Sequence, residues 1–209
     1  MKPLSAFFPR ILPYLPGCPE PFAAQALLTS AIEFCENSQV VRVDLPPIST
    51  VAGGASYYLD APDAQSAITR VLNVTLDGHV LPSIMAEALR EVPATPARPN
   101  GYYVDTSEGD FTIKLAPLPD TSYTLAANVA LRPAREATQL HNDLYDLWID
   151  ALVAGTLYRC MMTPDQPFSN PVQALYWEKT ANTATANSRI EGNYGYVRGS
   201  MRVKTRPFV

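Results

Sequence analysis

The sequence predicts an α+β protein in which a helical bundle carries an inserted antiparallel β-meander and an extended C-terminal arm. Apolar residues recur at helical spacing in residues 22–36 and 140–162, and between these stretches apolar and polar residues alternate. The last residues combine basic side chains with glycine and tyrosine, unlike a packed helix. We therefore expect a helical domain from residues 1–39 and 133–190, formed by an N-terminal helix and two C-terminal helices. A β-rich insertion should occupy residues 40–132, and the arm residues 191–209.

The length and composition of the chain are typical of a globular protein. A chain of 209 residues that is 47% hydrophobic can build one sizeable core. The sequence has no uninterrupted apolar run near the roughly 20 residues that span a bilayer, so we expect no membrane segment. The three cysteines lack metal-binding spacing and predict reduced, mostly buried thiols, with a bridge between Cys18 and Cys35 as the alternative.

The first predicted helix covers residues 22–36. Its broad apolar face is supplied by Ala24, Leu27, Leu28, Ala31, Phe34 and Cys35. The polar pair Asn37 and Ser38 should end it. The proline-rich segment before it, residues 1–21, is interrupted by six prolines and lacks a clean signal-peptide pattern, so we expect it to be part of the mature protein.

The middle of the chain changes to a period of two, which is typical of strands. The alternating groups are Val41 and Val43, then Leu72, Val74 and Leu76, then Phe111, Ile113 and Leu115, then Tyr123 and Leu125. Turn signals separate them at Asp77-Gly78, at residues 107–110 and at residues 117–122. An antiparallel meander is the simplest arrangement, with room for a short helix at residues 83–91.

The late helix at residues 140–162 has two apolar faces. Its core seam is formed by Leu140, Leu144, Leu147, Ala151, Ala154, Gly155, Tyr158 and Met162. A second row, Ile149, Val153 and Leu157, lies roughly opposite and needs its own packing partner. That partner is either more of the same chain or a neighbouring subunit. We take these three residues as a hypothetical subunit interface.

A second C-terminal helix should follow the prolines at 164 and 167. Proline lacks the amide donor and therefore ends the preceding helix. Ser169 or Asn170 can cap the next helix, and Pro171 fits its first turn. Val172, Leu175, Tyr176 and Lys179 then recur at helical spacing.

The sequence shows no catalytic, metal or cofactor signature. Neither His79 nor His141 has partners at ligand spacing, and the glycine pair at 53–54 lacks the lysine of a phosphate loop. The carboxylates of Asp143, Asp146 and Asp150 are typical of a solvated helix face. We therefore predict no catalytic residues, no metal and no cofactor.

The C-terminal residues predict a docking arm. Residues 188–209 carry five basic side chains and one acid, although the whole chain has a net charge of −4. The candidate docking residues are Tyr194, Tyr196, Arg198, Arg202, Lys204, Arg206 and Phe208. A frayed basic terminus is the alternative, and nucleic-acid binding is a third interpretation that the acidic body disfavours.

Several motifs resemble those of one protein family. They are the run ILPYLPGCP at residues 11–19, the strand and turn at residues 72–78, and a late set of single positions. The late set comprises Leu144, Tyr145, Ala151, Gly155, Arg159, Met161, Met162, Pro164, Gln166, Pro167, Ser169, Asn170, Pro171, Ala174, Tyr176 and Arg189. In these the chain is similar to the head-to-tail adaptor, or connector, proteins of tailed bacteriophages. It departs at His141, where relatives tend to have proline.

The resemblance implies a structural virion protein of the neck or tail, made in the host cytoplasm, without enzymatic activity. It implies a ring, commonly dodecameric, that binds the portal protein, receives tail or nozzle proteins and continues the DNA channel without binding DNA specifically. The alternative is a monomeric β-rich module that binds a protein or a small molecule.

Overall fold

The computed structural model describes residues 1–86, 95–106 and 110–194. Its helices are α1 (Phe8–Ile11), α2 (Glu20–Ser38), α3 (Asn142–Asp146), α4 (Ile149–Met161) and α5 (Pro171–Tyr194). Two short 3-10 turns, Leu4–Phe7 and Leu12–Tyr14, flank α1. The predicted N-terminal helix is confirmed as α2, which extends two residues farther at each end than expected.

The described strands form three separate antiparallel sheets. The largest contains β2 (Arg42–Asp44), β3 (Ile48–Ser49), β5 (Ser66–Leu76), β6 (His79–Val80) and β9 (Thr124–Pro133). A second sheet contains β4 (Ser56–Leu59), β7 (Gly101–Asp105) and β8 (Phe111–Ala116). The third pairs β1 (Lys2–Pro3) with β10 (Gln139–Leu140), which joins the start of the chain to the region after β9.

The predicted helical bundle with an inserted meander is wrong. The described chain has ten strands in three sheets and is mainly β. A meander pairs sequence neighbours, whereas β9 lies between β2 and β5 and also pairs with β3. Helix α2 packs against β9, so helices and sheets share one hydrophobic core. Alternation in the sequence marks a strand but does not select its partner, which is why the arrangement was missed.

Two of the predicted turns fall where expected. Asp77 and Gly78 connect β5 to β6, and both have positive φ angles, 49° and 78°. This conformation fits a two-residue hairpin and explains the Asp-Gly pair. The second turn, at residues 117–122, lies between β8 and β9. Most of the turn predicted at 107–110 and of the helix predicted at 83–91 lies outside the described residues.

The predicted helix at residues 140–162 is divided in two. Leu140 belongs to β10, and His141 caps α3 by accepting a hydrogen bond at Nδ1 from the Asp143 amide, 3.3 Å away. The helix is interrupted at Leu147 and Trp148, where the Trp148 ring packs on Phe34 of α2 with centroids 5.9 Å apart. Leu147, which was assigned to the core seam, lies at this interruption and is 52% exposed.

The start of α5 is confirmed. The Asn170 side-chain oxygen accepts a hydrogen bond from the Gln173 amide at 3.2 Å, and Pro171 is the first helical residue. An asparagine cap followed by proline satisfies one free amide and removes another. The helix then continues through Tyr194, so residues 191–194 of the predicted arm are helical.

The divided helix gives a first prediction. Leu144→Ala should lower the free energy of unfolding by about 2–5 kcal/mol, because Leu144 is fully buried and its loss leaves a cavity. Leu147→Ala should change it by less than about 0.5 kcal/mol, because that side chain is half exposed. Urea unfolding followed by circular dichroism measures both. Equal losses in the two variants would contradict the divided helix.

Candidate assembly surface

The row predicted as a subunit interface is covered within the chain. Ile149, Val153 and Leu157 are all buried, because α4 packs against α1, α2 and α5. Of the two partners considered for this row, the same chain supplies the cover. The row is therefore no evidence for a neighbouring subunit, and an interface role for these residues stays a prediction.

The predicted docking arm lies mostly outside the described residues. Tyr194 is the last residue of α5. The other six candidates, Tyr196, Arg198, Arg202, Lys204, Arg206 and Phe208, belong to residues 195–209, which the structure does not describe. Their role in portal docking stays a prediction.

An exposed apolar surface lies at the start of α5. Val172 is 84% exposed, Leu175 60% and Tyr176 63%. Their spacing of three and four places them on one face of the helix. Tyr14, half exposed, and Trp177 adjoin this face, and we call these five residues the aromatic surface. Large apolar side chains gathered on one surface are typical of protein-binding sites.

Ring contacts hold the aromatic surface in place. Tyr14 meets Trp177 edge to face with centroids 5.6 Å apart, and Trp177 meets Tyr176 in the same way at 5.1 Å. Pro13 restricts the short 3-10 turn that carries Tyr14. On the opposite side of α5, Ala174 is fully buried and anchors the helix to the body. Two elements distant in sequence therefore position the surface.

An open pocket of about 490 Å³ lies beside the aromatic surface. Pro9, Pro13, Val153 and Thr180 line it together with Tyr14 and Trp177. Arg10 donates a hydrogen bond to Asp150 across it, 2.9 Å from nitrogen to oxygen. The Trp177 indole nitrogen is buried without a hydrogen-bond acceptor among the described residues.

The cysteines are free thiols. The Cys18–Cys35 bridge considered above is therefore absent. Cys35 and Cys160 are buried, and burial raises the pKa of each to about 12. Burial also raises the pKa of Cys18, so all three thiols are protonated at neutral pH. Among the described residues no three side chains of histidine, cysteine, aspartate or glutamate are grouped for a metal ion.

Sequence reasoning placed Val172, Leu175 and Tyr176 on one helix face but missed the exposure of that face and did not identify Tyr14 or Trp177. The spacing of Val172, Leu175 and Tyr176 correctly indicated a helix, and such spacing ordinarily marks the buried face. In α5 the inward positions are small residues, including Ala174 and Ser188. The sequence did contain a signal for this exposure: one face of α5 carries small residues, which suit close packing on the body, and the opposite face carries the large apolar residues.

The chain matches one protein-family model over most of its length. The family model described as SU10 adaptor protein matches residues 10–203. The chain belongs to the SU10 adaptor protein family. This is a phage head-to-tail adaptor family, which confirms the resemblance and makes the protein a structural component of the virion that associates with other virion components. No curated protein matches the chain.

Within the part of the chain that the structure describes, none of the helices combines the length and hydropathy needed to cross a bilayer.

Burial of the predicted interface row gives a second prediction. Val153→Asp should lower the free energy of unfolding of the isolated subunit by at least about 3 kcal/mol, because it buries an unpaired carboxylate. Val172→Asp is the matched control. It should change stability by about 0.5 kcal/mol or less, because Val172 is exposed and lies in the first turn of α5, where a carboxylate suits the helix dipole. Chemical unfolding of both variants measures the difference, and a stable Val153→Asp subunit would overturn the assignment of this row to the core.

Proposed function

We propose that this adaptor forms a closed ring that joins the portal to the tail and continues the channel through which DNA leaves the head. A ring of identical subunits requires one surface of each copy to bind a different surface of the next. The family assignment supports the adaptor role, and the resemblance noted in the sequence supports a dodecamer. The role is structural, and catalysis is not part of it.

The aromatic surface is the observation that carries this proposal. Full burial of a valine, leucine or similar side chain contributes about 1.5–3 kcal/mol, so this surface can stabilise an interface substantially. Tyrosine and tryptophan are also enriched among the residues that dominate binding energy. We assign the aromatic surface to contact with another virion protein, either a second copy or a neighbouring ring.

The C-terminal residues are assigned to the portal. Residues 195–209 contain four basic side chains and no acid, whereas the whole chain is acidic. An extended basic segment can reach a neighbouring ring and gain contact area there, at the cost of becoming ordered. The acidic character of the remaining chain favours a channel in which DNA moves without specific binding, because few cations are available to hold phosphates.

Changing the aromatic surface tests the assembly role. The double variant Leu175→Asp, Tyr176→Asp should fold with a thermal transition within a few degrees of the wild type, because both side chains are exposed. It should fail to form portal-bound rings, since carboxylates would be buried without partners at every interface. Electron microscopy of purified portal mixed with the variant measures ring formation.

A matched control lies on the same helix. Ala186→Asp with Asn187→Asp adds two carboxylates at exposed positions of α5 away from the aromatic surface, and rings should form normally. Normal rings with the Leu175, Tyr176 variant would remove the aromatic surface from the assembly.

Deletion of residues 195–209 tests the portal assignment separately. The truncated chain should keep its thermal transition within a few degrees, because these residues follow the last described helix and chain ends contribute little to a core. Its affinity for purified portal should fall at least about tenfold, which corresponds to 1.4 kcal/mol. Replacing the four basic residues by glutamine in the full chain should give much of the same loss. Undiminished portal binding by the truncated chain would show that the portal is held elsewhere.

A further inference from the structure

A polar groove separates two helices on another side of the subunit. It has a volume of about 350 Å³ and lies between α2 and α5, with α4 beneath. Ser30 and Asn37 line it from α2, Ala151 and Gly155 from α4, and Glu178 and Asn182 from α5. We call this the α2–α5 groove, and it is distinct from the aromatic surface.

The groove contains polar groups that the subunit leaves unpaired. Ser30 is only 5% exposed, and its hydroxyl has no hydrogen-bond partner among the described residues. The side chains of Asn37, Glu178 and Asn182 likewise make no hydrogen bond or ion pair with the described part of the chain. The Ser30 hydroxyl is shielded from solvent, so the groups that a ligand can reach are those of Asn37, Glu178 and Asn182, which favour a ligand with donors and acceptors.

The charge of the groove is negative. Glu33 and Arg159 form an ion pair with each other at its wall, which leaves the carboxylate of Glu178 without a counterion among the described residues. A ligand that carries a guanidinium or ammonium group would pair with that carboxylate.

The floor of the groove is closely packed. Ala151 and Gly155 contribute to it, and a Cβ added at Gly155 would come within 3.2 Å of the Ser30 hydroxyl, so α2 and α4 approach each other closely there. Seven residues separate Ser30 from Asn37, which is about 10 Å along a helix. This length matches about three residues of extended chain, whose amides and carbonyls provide both donors and acceptors.

One segment of this chain has the required composition and starts at the right place. Residues 195–209 contain four basic side chains and no acid. They follow α5, whose Gly192 lies against α2: a Cβ added there would be 3.5 Å from the carbonyl oxygen of Ser38, the residue after Asn37. Fifteen extended residues can reach about 50 Å, several times the length of the groove.

From these observations we propose that the α2–α5 groove binds the basic C-terminal segment, residues 195–209. The main chain of the segment pairs with Asn37 and Asn182, and one arginine or lysine pairs with Glu178. The groove holds the segment in the free subunit. This inference goes beyond the adaptor function, because it does not depend on what the segment contacts in the virion.

Hydrogen exchange on the full-length chain tests the proposal. Amides of residues 195–209 should exchange roughly tenfold more slowly than those of a free synthetic peptide of the same sequence, since exchange requires release from the groove. In Glu178→Lys this protection should disappear, because the substituted lysine repels the basic segment. Millisecond labelling with mass spectrometry measures both. Circular dichroism confirms that the variant is folded.

Glu136→Lys is the control, since it makes the same charge change at an exposed position outside the groove. It should keep the protection of the wild type.

Protection that is independent of protein concentration supports binding within one subunit, and protection that rises with concentration supports binding of the segment from a second copy. Free-peptide exchange rates in the wild type, or full protection in Glu178→Lys, would overturn the proposal. Neither result would bear on ring formation or portal binding, which are measured with portal present.

Discussion

The fold depends on the burial of strand β9. It pairs with β2 and β3 on one side and with β5 on the other, and α2 packs against it. Val129, Ala130 and Leu131 at its centre are almost completely buried. Since α4 packs against α2, and α5 against α4, the helices are stacked on this strand in turn. The aromatic surface and the α2–α5 groove both depend on where that stack places α5.

Local features could be predicted from the sequence, whereas long-range pairing could not. The position of α2 to within two residues at each end, the Asp77-Gly78 turn and the Asn170-Pro171 start of α5 follow from spacing, turn chemistry and capping, which act over a few residues. The central place of β9 depends on contacts between residues far apart in the chain. At the interruption of the predicted helix, Trp148 likewise contacts a residue far away in the chain, Phe34 of α2. A helical wheel drawn through the interruption therefore assigned Leu147 to the wrong environment.

The same limit explains which functional residues were found. The row Ile149, Val153 and Leu157 was correctly recognised as apolar, but only the structure shows that the same chain covers it. Conversely, Val172, Leu175 and Tyr176 have the spacing of a core face and are exposed. In an adaptor protein the exposed face of α5 is more informative about assembly than the buried row of α4, because an exposed apolar face on a stable subunit is available to bind another subunit. Family membership supplied the role, and the structure supplied a surface on which that role can be tested.

Cryo-electron microscopy of the portal bound to the adaptor tests the central claim most directly. That claim is that the subunit keeps its core on assembly and uses the aromatic surface for contact. The predicted result is a ring in which Tyr14, Leu175 and Tyr176 are covered by another chain, while Ile149 and Leu157 keep their contacts within the subunit. A ring in which the aromatic surface faces solvent in every copy would contradict the account.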